Sequence, residues 1–230
     1  MGHVDPDVPT EWPRWNIAPT QPVMAVRADR HGRTLWMPRW GLVPSWASDP
    51  SVGNRMINAR AETLAEKPSF RRAFERRRCL LPASGFYEWA RERVSPSGAR
   101  SLAAGAVRGI KGTAGQPFYV HGADGSPLAL AGLWEVWHDA EGKPLYSCTI
   151  VTTSANSDLD RVHHRMPLVL QPPAWDRWLE PSPLDDAEAA KLLAPPTSDL
   201  LVVEKVSRRV NSAANDGPEL VEPLGELPLS

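Results

Sequence analysis

The sequence predicts a single α+β domain built from curved, mostly antiparallel sheets. Three observations predict it. The 24 prolines in 230 residues oppose a helical bundle and favour short strands joined by fixed turns. Apolar runs rich in Val, Ile, Leu and aromatic residues recur between Gly- and Pro-containing turns, whereas helical spacing is confined to a few stretches. A hydrophobic share of 42% supports one sizeable core.

Taken in order, residues 1–15 lack periodicity and read as a loop or tail. Asn16–Pro22 is a turn, because its prolines bar a helix. Val23–Arg27 and Thr34–Met37 form two strands around the turn Asp29–Arg33. Trp40–Trp46 is an aromatic loop held by Gly41 and Pro44. Asn58–Glu62 leads into a helical stretch that Pro68 interrupts. Phe70, Phe74 and Arg77 then follow at helical spacing, which predicts an amphipathic helix with a basic, solvated face. Cys79–Ala83 and Phe86–Ala90 are strands about Ser84-Gly85. Residues 91–115 shift to Ser, Gly, Ala and Arg, the composition of a flexible insertion rather than a domain boundary. Pro117–His121, Leu128–Trp137 and Leu145–Thr153 resume the strand pattern, with turns at Asp124-Gly125 and Glu141-Gly142. Ser182-Pro183 with Asp185 starts a helix over about Leu184–Leu193, and Leu200–Val206 is the last strand.

Composition narrows the function. A net charge of −1 gives no global field for a polyanion. The charge is uneven, however: residues 55–78 carry eight Lys/Arg against three Asp/Glu, and residues 171–204 carry seven acidic residues against two basic. Ten tryptophans exceed what such a core needs, and tryptophan suits places where one edge meets water or a ligand. Cys79 and Cys148 lie in apolar runs and read as buried free thiols of a cytosolic protein. No apolar run approaches the roughly 18 residues of a membrane span, and the polar start Met1–Pro9 has no signal-peptide core. The expected location is the cytoplasm. No metal-ligand spacing, phosphate-binding glycine loop or nucleophile elbow is present.

Four polar residues stand out because strand context should bury them: Asn58, Glu88, His163 and Arg165. His163-His164-Arg165 lies between two strand-like runs, with Pro167 fixing the exit. A histidine there can carry a proton near neutral pH, or simply cap a strand end. Glu88 lies between Tyr87 and Trp89, a setting that raises a carboxyl pKa and suits acid–base work. Strand alternation equally allows it an outer face. Trp40 and Trp46 beside Arg39, Arg55 and Arg60 form a plausible platform for single-stranded nucleic acid, or else close a proline-rich core.

Eight ordered segments resemble one family. They are Asn16–Gln21, Trp40–Trp46, Asn58–Thr63, Gly85–Trp89, Ile150–Asn156, His163–Pro167, Val206-Ser207 and Asn215–Leu220. On these the chain is similar to the SOS-response-associated peptidase (SRAP) family of abasic-site processing proteins. The match runs from about residue 12 to 223, leaving 1–11 and 224–230 as tails around one domain with 91–115 inserted. The resemblance implies a barrel-like core flanked by a few helices, and a monomer without cofactor or metal. It also implies trapping of abasic sites in single-stranded DNA. In the family, the α-amine of a cysteine after the initiator methionine attacks the sugar aldehyde, and its thiolate closes a thiazolidine. On that pattern Asn58 would orient cysteine and sugar, Glu88 would position or deprotonate the amine, and His163 would protonate the opening sugar ring. Arg60, Thr152 and Arg165 would hold flanking phosphates, with Trp40 and Trp46 bordering the DNA channel. The peptidase name implies cleavage of the family's own N-terminal propeptide.

The chain departs from this pattern at its start, Met1-Gly2-His3-Val4, where Gly2 occupies the cysteine position and no Cys-Gly-Arg occurs. Three readings follow. The favoured one is a start site lying further upstream. The second is a DNA-binding module that does not trap. The third uses the Gly2 α-amine, of pKa about 7.7–8.0, for a Schiff base without a lasting crosslink.

Overall fold

The computed structural model describes residues 2–11, 13–94, 100–103 and 115–225. Within the stretch expected as a tail, His3–Val4 form a short strand, β1. β2 (Ala25–Asp29) and β3 (Gly32–Trp36) make the expected hairpin, and β1 pairs parallel to β3. β4 (Arg39–Trp40) and β5 (Asn58–Arg60) follow, so the segment before the basic helix begins extended. The helix α1 (Pro68–Arg76) starts at Pro68 rather than being interrupted by it. At the first helical position the missing N–H costs nothing. β6 (Arg78–Ala83), β7 (Gly85–Val94) and β8 (Arg100–Ala103) come next. Part of the segment expected as a flexible insertion is therefore strand, with β8 antiparallel to the end of β7, while 95–99 and 104–114 lie outside the described residues. β9 (Gln116–Gly122), β10 (Leu128–His138), β11 (Pro144–Ser154) and β12 (Arg165–Pro167) complete the central strands. Two helices follow, α2 (Pro172–Leu179) and α3 (Asp186–Leu193), then β13 (Leu201–Lys205). The sequence reading missed α2, which is too short to establish a period. Asp185 caps α3 in a reciprocal capping box with Glu188.

The strands form two sheets. The larger runs β1-β3-β2-β6-β10-β11-β12, with β4 and β5 also paired to β11; the smaller runs β13-β9-β7-β8. The larger sheet does not close, so the barrel-like description holds only loosely. The chain passes from one sheet to the other at Ser84-Gly85. A Cβ at Gly85 would stand 2.5 Å from the Tyr119 ring, so only glycine admits this crossing.

Strand alternation explains the layers. On β6, Leu80 faces a cluster shared with Phe70, Phe74 and Trp178 of the helices, while Cys79 and Leu81 face a second cluster with Phe118 and Val120 of the smaller sheet. The larger sheet is thus buried on both faces, between helices and the second sheet. Its central strands are correspondingly near-continuous apolar runs. Most tryptophans serve this packing. The indole N–H groups of Trp40, Trp137, Trp175 and Trp178 donate to backbone carbonyls, whereas Trp46 is 64% exposed.

The segment 14–16 is fastened to the C-terminal region. The buried Asn16 amide donates to the carbonyls of Val210, Ser212 and Asn215, and Asp216 accepts from the Trp15 and Asn16 N–H groups and from Arg14. Asn16→Ala should cost about 1–3 kcal/mol, read as a lower urea midpoint. A change within a few tenths would show that these carbonyls find water instead. No helix among the described residues is long and apolar enough to cross a membrane.

Candidate functional site

β11 gathers the site. Along it, Ile150 is registered with Asn58 and Thr152 with Arg60 of β5. Thr152 is also opposite Pro167, and Ser154 opposite Arg165, of β12. The loop between β11 and β12 is stapled by Asn156, whose amide donates to Asp158 and to the Thr197 carbonyl. Ala155 N–H donates to the His164 carbonyl at its neck. This loop presents His163 to the smaller sheet, where Glu88 projects from β7.

His163 Nδ1 lies 3.3 Å from Glu88 Oε1 and 3.0 Å from the Arg165 carbonyl. A proton on Nδ1 is donated to the Arg165 carbonyl and faces the Glu88 carboxylate at ion-pair distance. The alternative, Arg165 N–H donating to Nδ1 at 3.2 Å, would satisfy neither, so we assign the proton to Nδ1 and the exchangeable position to Nε2. Glu88 and His163 are each half-buried. Burial pushes the Glu88 carboxyl above the usual value, against the pull of the His163 charge. The inward face of the strand, not the outer one, is the one Glu88 takes. Its neighbours face away: Tyr87 donates to the Trp15 carbonyl and Trp89 to Asn211.

The remaining candidate residues divide into exposed and engaged groups. Asn58 and Arg60 are exposed, and their side chains make no hydrogen bond or ion pair among the described residues. Arg165 is engaged: its Nη1 and Nη2 reach Glu62 at 2.5 and 2.9 Å, and Nη2 also reaches the Thr152 carbonyl at 2.6 Å. Its buried Nε has no hydrogen-bond partner among the described residues. Thr152 is buried, its hydroxyl 3.5 Å from the Ala59 carbonyl. Trp40 donates to the Ile57 carbonyl and holds β4 against the approach to β5. Trp46 stands apart, over the start of α1 beside Arg71.

Two further residues, given no role by the sequence reading, adjoin these. Glu62, inside the Asn58–Thr63 segment, is the partner of Arg165, and that pairing holds its carboxyl below the usual value. His164, exposed beside His163 with ring centroids 4.6 Å apart, is pushed down by burial and then by His163, Arg165 and Arg60. Only the charge density around residues 60–65 and 161–165 could have flagged them.

The site lacks a thiol. Cys79 and Cys148 are fully buried, and burial pushes both thiols up, away from the reactive thiolate. Gly2 adjoins the Arg33 carbonyl beside β3, at the β1 end of the larger sheet. The described residues contain no cluster of ligands suited to a metal.

Comparisons with known proteins identify the family. The family model described as SOS response associated peptidase (SRAP) matches residues 3–213. The abasic site processing protein YoqW of Bacillus subtilis is 39% identical over 210 residues, covering 91% of this chain and 86% of that one. The abasic site processing protein HMCES of Gallus gallus is 32% identical, covering 86% of this chain and 60% of that one. A crystal structure of a protein from Bacteroides thetaiotaomicron superposes with a TM-score of 0.71 at 27% identity, covering 89% and 82% of the two chains. With this fold and these motifs in place, the chain belongs to the SOS response associated peptidase (SRAP) family.

Proposed function

We infer that this protein processes abasic sites in single-stranded DNA, with Asn58, Glu88 and His163 around the reacting sugar. The observation that carries the reading is the Glu88–His163 contact, made by the loop that follows β11, the strand along which the exposed Asn58 and Arg60 are also registered. A half-buried carboxylate–imidazole pair can move a proton to or from an opening sugar ring. Asn58 can donate to a sugar oxygen, and Arg60 can take a flanking phosphate. In this reading Thr152 acts through Arg165, holding its guanidinium by the backbone. Trp40 and Trp46 border the strand.

Covalent trapping as a thiazolidine requires an amine and a thiol on one residue, which neither buried cysteine offers. The test is a denaturing gel of the protein with single-stranded DNA carrying one abasic site. The expected result is no heat-stable band for the chain as it stands, and a band once a Met-Cys-Gly-Arg segment of family length is placed before Asn16. Absence of a band in both forms would favour the second reading, a single-stranded DNA-binding module, which the burial of both cysteines also favours. A peptidase acting on its own N-terminus would use the same pair, and cleavage that survives His163→Ala would count against that use.

Glu62 competes with phosphate for Arg165. Glu62→Gln removes the charge that occupies the guanidinium and should raise affinity for single-stranded DNA several-fold, measured by fluorescence anisotropy at low salt. Unchanged or weaker binding would assign Arg165 to structure alone.

A further inference from the structure

We propose that the exposed face of α1 and the β2–β3 turn form a second, sequence-independent binding surface for the DNA strand leaving the site; this rests on the functional reading above. Two open clefts meet on this face. One is bounded by Trp46, Arg71 and Arg72, the other by Arg72, Arg76 and the turn residues Arg30 and His31. They share Arg72 and Glu75, so they adjoin along the exposed face of α1. Together they open at Trp46, on the Trp40–Trp46 loop, and run along α1 to the β2–β3 turn.

The helix is costly to build this way. Phe70, Ala73 and Phe74 bury one side, which turns Arg71, Arg72, Glu75 and Arg76 outward. Arg72 and Arg76 are like charges one turn apart, an arrangement that weakens a helix. None of Arg71, Arg72 and Arg76 forms an ion pair among the described residues, although Glu75 is at hand. Arg77, next along, is neutralised by Glu135. The unspent charge fits a row of phosphates, which guanidinium groups hold in bidentate fashion. The exposed indole of Trp46 at the entrance adds a stacking platform that any base satisfies. An acidic protein would match the charge but not the platform.

The experiment uses the full chain with intact oligothymidylates of about 5 and about 25 nucleotides, a range spanning usual site sizes. Binding is followed against salt. Arg71→Gln/Arg72→Gln/Arg76→Gln should leave the short strand unaffected. On the long strand it should weaken binding and flatten the plot of log affinity against log salt by about 2, at about 0.7 per lost phosphate contact. Glu75→Gln should strengthen long-strand binding. An unchanged slope for the triple variant, with its melting temperature retained, would overturn the proposal. Discrimination between intact and abasic short strands, tested alongside with Asn58→Ala, reads the catalytic site separately, so failure of either inference is distinguishable.

Discussion

His163→Ala is expected to slow reaction with an abasic site by about 10²–10⁴-fold in the protein carrying a Met-Cys-Gly-Arg start, the usual worth of one positioned acid–base group. Its pH profile gives the sharper check. Burial raises the Glu88 carboxyl above the usual carboxylate range, so the rate falls on the acid side as the basic carboxylate takes up a proton. The His163 charge partly opposes the shift. Removing it should move the acid limb to higher pH, and Glu88→Gln should abolish the limb. A limb that stays in place in His163→Ala would show that the pair is not coupled in the working enzyme. The same group affects folding. A carboxyl raised in the folded state stabilises below its unfolded value, and that stabilisation is lost as pH rises through the folded value. Relative to the parent, Glu88→Gln should therefore be no weaker at neutral pH, a comparison that urea titrations at acid and neutral pH would make.

Arg78→Met is expected to cost about 3 kcal/mol or more, lowering the melting temperature by about 6–12 °C. Arg78 is 3% exposed at the start of β6. All five of its N–H groups are used. They donate to the carbonyls of Phe74 and Glu75 at the end of α1, Trp178 at the end of α2, and Glu180 and Ser182 beyond it. These include the carbonyls a helix end leaves without partners. Burial pushes the guanidinium down to about 10, which still leaves it charged at neutral pH. Methionine fills similar length but strands those carbonyls. Arg78→Lys should fall between, because an ammonium has three donors in place of five. A loss below 1 kcal/mol for Arg78→Met would mean that water enters and satisfies the helix ends.

The strands could be read from the chain because their apolar runs end at turn chemistry. Gly125 and Gly142 take φ of 74° and 80° at the two expected turns, and the β2–β3 hairpin sits where expected. Pro68 was misread because proline ends and begins helices alike, and its role depends on what packs next. Helix α2 escaped because eight residues scarcely show a period. Arg78 looked like one more member of a basic run. Nothing local distinguishes a buried guanidinium collecting carbonyls from a solvated one.

Fold class, the positions of most strands and the family motifs were determined by the sequence alone, because period-two burial and turn residues act over a few residues. Only the tertiary structure decided which strands share a sheet, that β6 and β7 part company at Gly85, and that Glu88 reaches His163 while Arg165 is held by Glu62. Alternation tells which side chains share a face of a strand, but not which distant strand or loop that face will meet. That choice is made by joint burial of the two clusters on either side of the larger sheet, a property of the folded chain as a whole.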